Sequence, residues 1–186
     1  MLHPKLINPA SIVVVGGSDH LDHLGGSVLK NLIDQKFKGE LFVVNPKKDV
    51  VQGLTSFRNI EDIPEVDLAI IAIAAPEIPA VIQILTKKKN TKGFIIYSSG
   101  FGELNEEGDK LEQKICQMID EVGGSLLGPN NIGMLNENYA GVFTRPIPKL
   151  HPDGVDFISG SGATAVFTIE AAQQIGLTFS GLYTVG

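Results

Sequence analysis

Five short runs of aliphatic and β-branched residues constrain the fold of this chain more than any other feature of its sequence. The runs cover residues 12–15, 41–44, 68–73, 93–97 and 125–127. Their apolar residues follow one another instead of alternating with polar ones, which is typical of strands buried on both faces. Such strands belong to parallel sheets covered by helices on both sides. The runs therefore predict the strands of an α/β domain.

The segments between these runs have the periodicity of helices. Residues 106–122 show the clearest pattern, with apolar positions three and four residues apart. The apolar faces of the three segments consist of Val28, Leu29, Leu32 and Ile33; Ile78, Val81, Ile82 and Leu85; and Leu111, Ile115, Met118, Ile119 and Val122. The alternation of strand and helix predicts a Rossmann-type, doubly wound parallel sheet.

The chain changes character after about residue 140. Residues 145–154 contain three prolines and predict an irregular linker. Beyond it, residues 155–159, 163–175 and 179–185 predict a strand, a helix and a strand. One such unit is too small to form a domain alone. We therefore divide the chain into a domain of residues 1–142, a linker of residues 143–154 and the first βαβ unit, residues 155–186, of an incomplete second α/β domain.

Composition places the chain among ordinary acidic globular proteins. Its net charge of -6 and hydrophobic fraction of 43% argue against disorder and against bulk nucleic-acid binding. A single cysteine, Cys116, is typical of a reducing compartment, and the first residues lack the pattern of a signal peptide. The apolar stretch 68–75 is too short to cross a bilayer. These features predict a cytoplasmic protein that binds neither membranes nor nucleic acids.

Candidate ligand contacts lie in the loops after the strands, because open α/β sheets bind ligands at the carboxyl ends of their strands. The first loop, residues 16–26, is rich in glycine, so its backbone N–H groups can approach a phosphate. The second run ends in Asn45-Pro46-Lys47, and a cation stands where an NAD-binding domain needs an acid. Lys47 can neutralise the 2′-phosphate of NADP or the 3′-phosphate of coenzyme A (CoA). A tight turn and a solvated lysine are the structural alternatives.

Five stretches, taken in order, resemble the CoA-binding domain of NDP-forming acyl-CoA synthetases. They are residues 9–18, 25–32, 44–47, 98–101 and 128–130. This family includes ADP-forming acetyl-CoA synthetase and the succinyl-CoA synthetase α subunit. The resemblance implies an N-terminal fragment of such an enzyme, with a CoA-binding Rossmann domain followed by the start of a flavodoxin-like domain.

The resemblance also implies roles for individual residues. The first loop and the Asn-Pro-Lys turn would hold the nucleotide end of CoA, or of an acyl-CoA, and the later loops would line the path of the pantetheine arm. The implied cofactor contacts are Gly16, Gly17, Ser18, Gly25, Asn45, Lys47, Ala74, Ala75, Pro76, Ser98, Ser99, Gly100, Phe101 and Asn130.

A second candidate site follows the predicted linker. The family's second domain opens with a strand and a Ser-x-Ser-Gly turn that holds the phosphohistidine, and residues 159–163 are similar to it. The resemblance implies phosphate contacts at Ser159, Ser161 and Gly162, while a serine helix cap without ligand is the alternative. The chain departs from the family pattern at three positions that usually hold proline, cysteine and a larger polar residue: Ala74, Asn131 and Gly160.

No catalytic residue is expected within the chain. The histidines, which are His3, His20, His23 and His151, all lie outside the family's phosphohistidine motif. Residues 19–23 hold two histidines and two aspartates, but no further ligand motif accompanies them, so we expect no metal site. ATP, ADP and magnesium are expected only in an ATP-grasp domain or subunit outside this chain.

Three functions remain open. The first is CoA binding within an NDP-forming acyl-CoA synthetase, which reversibly converts an acid, CoA and ATP into acyl-CoA, ADP and phosphate through a phosphohistidine. The second is a non-catalytic CoA-sensing or acyl-CoA-sensing module fused to another activity, which the three departures favour. The third is a fragment of an NADP-binding oxidoreductase, which the glycine loop and Lys47 favour.

Overall fold

The computed structural model describes residues 2–186. The strands are β1 (Ser11–Val15), β2 (Glu40–Val44), β3 (Val50–Val51), β4 (Leu54–Phe57), β5 (Leu68–Ile71), β6 (Gly93–Ile96), β7 (Ser125–Leu127), β8 (Gly133–Leu135), β9 (Ala140–Val142), β10 (Leu150–Ser159) and β11 (Phe179–Thr184). The helices are α1 (Pro4–Ile7), α2 (Leu24–Asp34), α3 (Ile78–Lys88), α4 (Glu106–Asp120) and α5 (Gly162–Gln174). Two short 3₁₀ turns cover Ile60–Asp62 and Ala75–Glu77.

A seven-stranded sheet has the order β3-β4-β2-β1-β5-β6-β7. Its strands are parallel except β3, which runs antiparallel to β4 at one edge. Val15 at the end of β1 lies opposite both Val44 and Ile71, the last residues of β2 and β5. The carboxyl ends therefore form one edge. The predicted Rossmann-type, doubly wound parallel sheet is confirmed.

Alternate residues of each strand point to opposite faces of the sheet. A strand that is covered by helices on both faces therefore needs apolar residues at consecutive positions. Val13 and Val15 pack with residues of α3 and α4 on one face. Ile12 and Val14 pack with residues of α1 and α2 on the other. All four of these valine and isoleucine side chains are at most 3% exposed. The two helical layers thus cover both faces, and only the strand ends remain open for ligands.

The smaller sheet has the order β10-β11-β8-β9. β10 and β11 are parallel and joined through α5, whereas β11 runs antiparallel to β8. The buried hydroxyl of Thr184 accepts hydrogen bonds from the N–H groups of Ile132 and Gly133 at 3.0 and 2.9 Å, fixing the end of β11 beside the loop after β7. This contact brings the start of α5 close to the carboxyl edge of the larger sheet.

The predicted linker is partly regular structure. β10 begins at Leu150, within residues 143–154, because Leu150 pairs with Phe179 of β11. The irregular part that precedes it lies along α2, where the Asn31 amide donates to the carbonyl groups of Val142 and Thr144 at 2.6 and 3.1 Å. The unit 155–186 also pairs with β8, which precedes the linker. The division into two domains stays a prediction.

The β3–β4 hairpin was not predicted. Its two-residue turn consists of Gln52 and Gly53, both with positive φ, at +48° and +83°. Asn-Gly is the usual sequence for such a turn, so glutamine at the first position carries no hairpin signal.

Candidate functional site at the carboxyl edge

Gly16 occupies the point where three loops meet. Its N–H donates to Val44 O at 3.0 Å, and its φ is +87°. A Cβ at this position would lie 2.4 Å from Ala72 O, so the loops after β1 and β5 are in direct backbone contact. The strand order places β2 and β5 on opposite sides of β1, which makes this the switch point where α/β sheets bind ligands.

Gly25 lets the first turn of α2 approach this loop. A Cβ on Gly25 would lie 2.1 Å from Gly16 O, closer than any real carbon contact. The N-terminal end of α2 therefore lies directly against the glycine turn. The N-cap residue, His23, makes no side-chain cap hydrogen bond. Free N–H groups and the positive end of the helix dipole at such a position favour an anion.

Asn45 connects the first loop to the second. Its Nδ2 donates to Gly17 O at 2.8 Å, and its Oδ1 accepts from Lys47 N at 2.9 Å. The side-chain amide is thus committed to shaping the turn. The Lys47 side chain is exposed, and no ion pair found among residues 2–186 involves it. The turn therefore presents one cation at the end of β2.

The unpredicted hairpin braces the first loop from outside. Gln52 donates from Nε2 to Ser18 O and Gly26 O at 2.7 and 2.8 Å, and its N–H donates to Asp19 at 2.7 Å. Asp19 also pairs with Lys48 at 2.5 Å. The Lys48 ammonium and the Gln52 N–H hold the pKa of Asp19 below its ordinary value. The exposed Lys48 side chain thus has a partner in the first loop.

Two later loops meet beside the first. The Ser98 hydroxyl donates to Ile73 O at 2.5 Å, and its carbonyl accepts from Asn130 N at 3.1 Å. Hydrogen bonds of Ser98 therefore connect the loop after β6 with the loops after β5 and β7. Two predicted contacts are buried, since Ala75 is 6% exposed and Phe101 is fully buried in the core beneath α4. The Phe101 side chain therefore belongs to the core, and its contact with pantetheine stays a prediction.

Glu103 organises the backbone of the loop after β6. Its carboxylate accepts from Gly100 N at 2.5 Å and from Phe101 N at 3.2 Å. Partial burial opposes ionisation, but these N–H groups outweigh it and hold the pKa of Glu103 below its ordinary value. Nothing in the sequence pointed to this residue, because an acid two positions after Phe101 has no signature of its own.

Glu103→Gln should destabilise the protein at neutral pH and have a smaller effect in acid. The pKa of glutamate in an unfolded chain is about 4.3. Because the folded-state pKa of Glu103 is lower, ionisation of Glu103 stabilises the folded protein at pH values above the unfolded-state pKa. The contribution is lost as the pH falls through the folded-state pKa. Urea denaturation at pH 7 and at about pH 3 measures both differences. Glu170→Gln, on the exposed side of α5, is the control; equal effects of Glu103→Gln at both pH values would contradict the interpretation.

A cleft of about 630 Å³ joins these loops to the start of α5. Predicted contacts from both candidate sites line it, namely Ser99, Asn130, Ser161 and Gly162. The Ser161 hydroxyl accepts from Thr164 N at 3.4 Å, as a helix cap does, and Ser159 donates to Ser161 O at 2.9 Å. Both hydroxyl groups therefore shape the turn. Phosphate binding at Ser159, Ser161 and Gly162 stays a prediction.

The three departures from the family pattern differ in environment. Ala74 is exposed before the 3₁₀ turn, and an ideal Cβ on Gly160 would have no neighbour within 4 Å, so a larger residue would fit there. Asn131 is 4% exposed and lines the cleft. Of these positions, Asn131 alone places a polar side chain in the protein interior.

The histidines lie away from the cleft lining. The rings of His20 and His23, in the exposed part of the first loop, have centroids 5.4 Å apart and are tilted by 47°. Within residues 2–186, no group of three or more histidine, cysteine and acidic side chains is placed to hold a metal ion. None of the helices described is both long and apolar enough to cross a membrane.

Sequence comparison matches residues 10–137 to the family described as the CoA binding domain. The chain belongs to the CoA-binding domain family. Relatives of this CoA-binding domain include the ADP-forming acetate–CoA ligase I of Archaeoglobus fulgidus, 32% identical over 185 residues, and the ADP-forming 4-hydroxybutyrate–CoA ligase of Nitrosopumilus maritimus, 30% identical over 189 residues. These alignments cover 98% and 100% of the chain but 26% and 27% of the relatives.

A solved structure has the same fold. The dinucleotide-forming acetyl-coenzyme A synthetase 1 of Ca. Korarchaeum cryptofilum, in complex with phosphate and ADP, superposes with a TM-score of 0.87 at 29% identity. The match covers 98% of the CoA-binding domain chain and 39% of that synthetase chain. The resemblance to ADP-forming acyl-CoA synthetases is confirmed. The chain spans about a quarter of the length of the curated relatives named above.

Proposed function

We propose that this chain binds CoA at the carboxyl edge of its seven-stranded sheet, as the CoA-binding part of an ADP-forming acyl-CoA synthetase. The observation that carries the proposal is the meeting of the glycine loop, the α2 N-terminus and the Lys47 turn at the switch point of a domain in the CoA-binding family. The third function considered, NADP binding, needs a cation in the same place, so the experiment must separate the two.

The nucleotide end of CoA fits the first two loops. Gly16, Gly17 and Gly25 leave no room for side chains, so the loop packs closely against the neighbouring strands and against the start of α2. The N–H groups at the N-terminus of α2 can then lie close to phosphate oxygens. Ser18 adds a hydroxyl, although it already accepts from His20 N at 3.1 Å. Lys47 is free to meet the 3′-phosphate. Asn45 has the role of fixing the turn that presents Lys47.

The pantetheine arm would run from this loop toward the cleft beside α5. Leu24, at the start of α2, is shared by the first loop region and the cleft lining. Ser99 and Asn130 supply polar groups along that wall. A cleft of this size and mixed lining is typical of sites for small organic ligands.

The chemistry of the whole enzyme extends beyond these residues. The longer relatives are ligases of acetate and of 4-hydroxybutyrate. We propose that the complete enzyme joins a carboxylic acid to CoA with formation of ADP, and that the phosphohistidine lies outside this chain. An ATP-grasp domain or subunit with its magnesium would be the partner.

Thermal unfolding with saturating ligand tests CoA binding. At 100 times its dissociation constant, CoA should add about 2.7 kcal/mol of stability, which raises the Tm by several degrees. Dephospho-CoA should bind more weakly, because it lacks the 3′-phosphate that Lys47 meets. Stabilisation by NADP but not by CoA would instead favour the oxidoreductase fragment.

Lys47→Ala should weaken CoA binding several-fold and remove the difference between CoA and dephospho-CoA. Lys114→Ala, an exposed lysine on α4, makes the same change in net charge and is the matched control. Isothermal titration calorimetry measures both ligands with each variant. If both variants lose CoA affinity equally, Lys47 acts through net charge and the assigned phosphate contact is wrong.

A further inference from the structure

The side chain of Asn131 is expected to destabilise the folded protein, because it buries polar atoms without hydrogen-bond partners. The side chain is buried after β7, and neither its Nδ2 nor its Oδ1 has a hydrogen-bond partner. Within residues 2–186, Gln52 and Thr91 each bury one unpaired side-chain oxygen, but Asn131 alone leaves two side-chain atoms unpaired. Proteins seldom retain such groups without a functional reason, because each unpaired polar atom destabilises the folded state.

The residue lies at the wall of the 630 Å³ cleft between the sheet edge and α5. Apolar groups of Ile132, Phe143 and Val166 form much of the remaining lining. Hydrogen bonds made beside these apolar groups are stronger than hydrogen bonds made in water. The Nδ2 atom itself packs against Gly128, where a Cβ would lie 2.3 Å from it, so the glycine makes room for the carboxamide.

The hydrogen-bonding groups of the Asn131 carboxamide indicate which ligand groups can pair with it. The carboxamide needs a ligand that accepts from Nδ2 and donates to Oδ1 at the same time. Phosphate and carboxylate groups present acceptors only and would leave Oδ1 unpaired. In a trans secondary amide the carbonyl and the N–H point in opposite directions, so one carboxamide cannot pair with both groups of a single amide. The pantetheine arm of CoA contains two amides separated by two methylene groups, so Nδ2 can donate to the carbonyl of one amide while Oδ1 accepts from the N–H of the other.

We propose that Asn131 is a specificity-determining residue that pairs with the two secondary amides of the pantetheine arm, through Nδ2 with the carbonyl of one and through Oδ1 with the N–H of the other. This inference rests on the proposed CoA function. Both polar atoms of Asn131 are covered by protein, so the carboxamide turns toward the cleft to make both hydrogen bonds. The free energy released when both atoms of Asn131 find partners then adds to the free energy of binding. The unpaired carboxamide, which destabilises the free protein, thereby favours the ligand-bound state.

Binding of two ligands distinguishes the contribution of Asn131 from that of the nucleotide-binding loops. CoA contains the pantetheine arm, whereas adenosine 3′,5′-bisphosphate shares its adenosine phosphates and lacks the arm. Asn131→Leu replaces the carboxamide by an apolar group of similar shape and removes both unpaired atoms. We expect CoA affinity to fall about tenfold while affinity for the bisphosphate is unchanged, as measured by calorimetry. The Tm without ligand should stay the same or rise.

Thr91→Val is the matched control. It also removes a buried, unpaired polar atom, but Thr91 lies before β6, at the opposite edge of the sheet. Its CoA affinity should equal that of the unsubstituted chain. Asn131→Ala serves as the second variant if leucine is too large to fold.

The outcomes distinguish the two proposals. Unchanged CoA affinity in both Asn131 variants, or equal loss of affinity for both ligands, overturns the role of Asn131 and leaves CoA binding intact. Absence of CoA binding in the unsubstituted chain overturns the proposed function and this inference together.

Discussion

Gly16→Ala should lower the free energy of unfolding by about 2–5 kcal/mol and abolish CoA binding. A positive φ costs a residue with a Cβ about 1–2 kcal/mol, and forcing atoms into a packed site costs about 1–3 kcal/mol more. Both costs apply at Gly16, where φ is +87° and the new Cβ would meet Ala72 O at 2.4 Å. Relief of this clash must separate the loops after β1 and β5, which displaces the phosphate-binding backbone.

Gly53→Ala isolates the conformational cost. Gly53 has a similar φ of +83°, but no atom lies within 4 Å of its ideal Cβ. Its loss should be about 1–2 kcal/mol, with CoA binding retained. Urea denaturation of both variants gives the comparison. Equal losses would show that the contact between the two loops contributes nothing to stability or to the shape of the site.

Phe101→Ala should cost about 3–5 kcal/mol of stability, among the largest effects of any substitution near the site. The resemblance to the synthetase family implied that Phe101 lines the pantetheine path. In the fold, its side chain is 0% exposed and packs in the cluster that includes Ile115 and Ile119 of α4. Its substitution therefore opens a cavity in the core between the sheet and α4.

Phe101→Leu separates packing from ligand contact. Leucine keeps most of the buried volume, so we expect a loss of about 1 kcal/mol and a folded protein. If the ring acts solely in the core, CoA affinity of this variant should match that of the unsubstituted chain in calorimetry. A large loss of affinity in a stable Phe101→Leu variant would restore the pantetheine role.

The layered sheet was predictable because its signals are local. Runs such as 12–15 and 68–73 are apolar at consecutive positions, and this pattern has few solutions other than a strand covered on both faces. Gly16 and Lys47 were also identified from sequence, since glycine after a first strand and a cation after a second have direct physical meanings in such a sheet. The structure places both at the carboxyl edge, where β1 and β2 end in register.

Contacts between segments that are distant along the chain could not be predicted from the sequence. Gln52 reaches Ser18 and Gly26 through a hairpin whose turn lacks the usual residues, so nothing in its neighbourhood indicated that it braces the first loop. Thr184 likewise joins β11 to the loop after β7, about fifty positions earlier in the chain. Such hydrogen bonds depend on how the two sheets are placed.

The α/β class, the parallel sheet and the loops that can approach a nucleotide follow from the amino-acid sequence, because hydrophobic periodicity and turn chemistry act over a few residues. Which side chains in those loops remain available for a ligand depends on the folded arrangement of the whole chain. This arrangement buries Phe101 in the core, commits Asn45 to a turn and leaves Asn131 unpaired beside the cleft. Burial and hydrogen-bond pairing are properties of the packed chain, and residue type and spacing do not specify them.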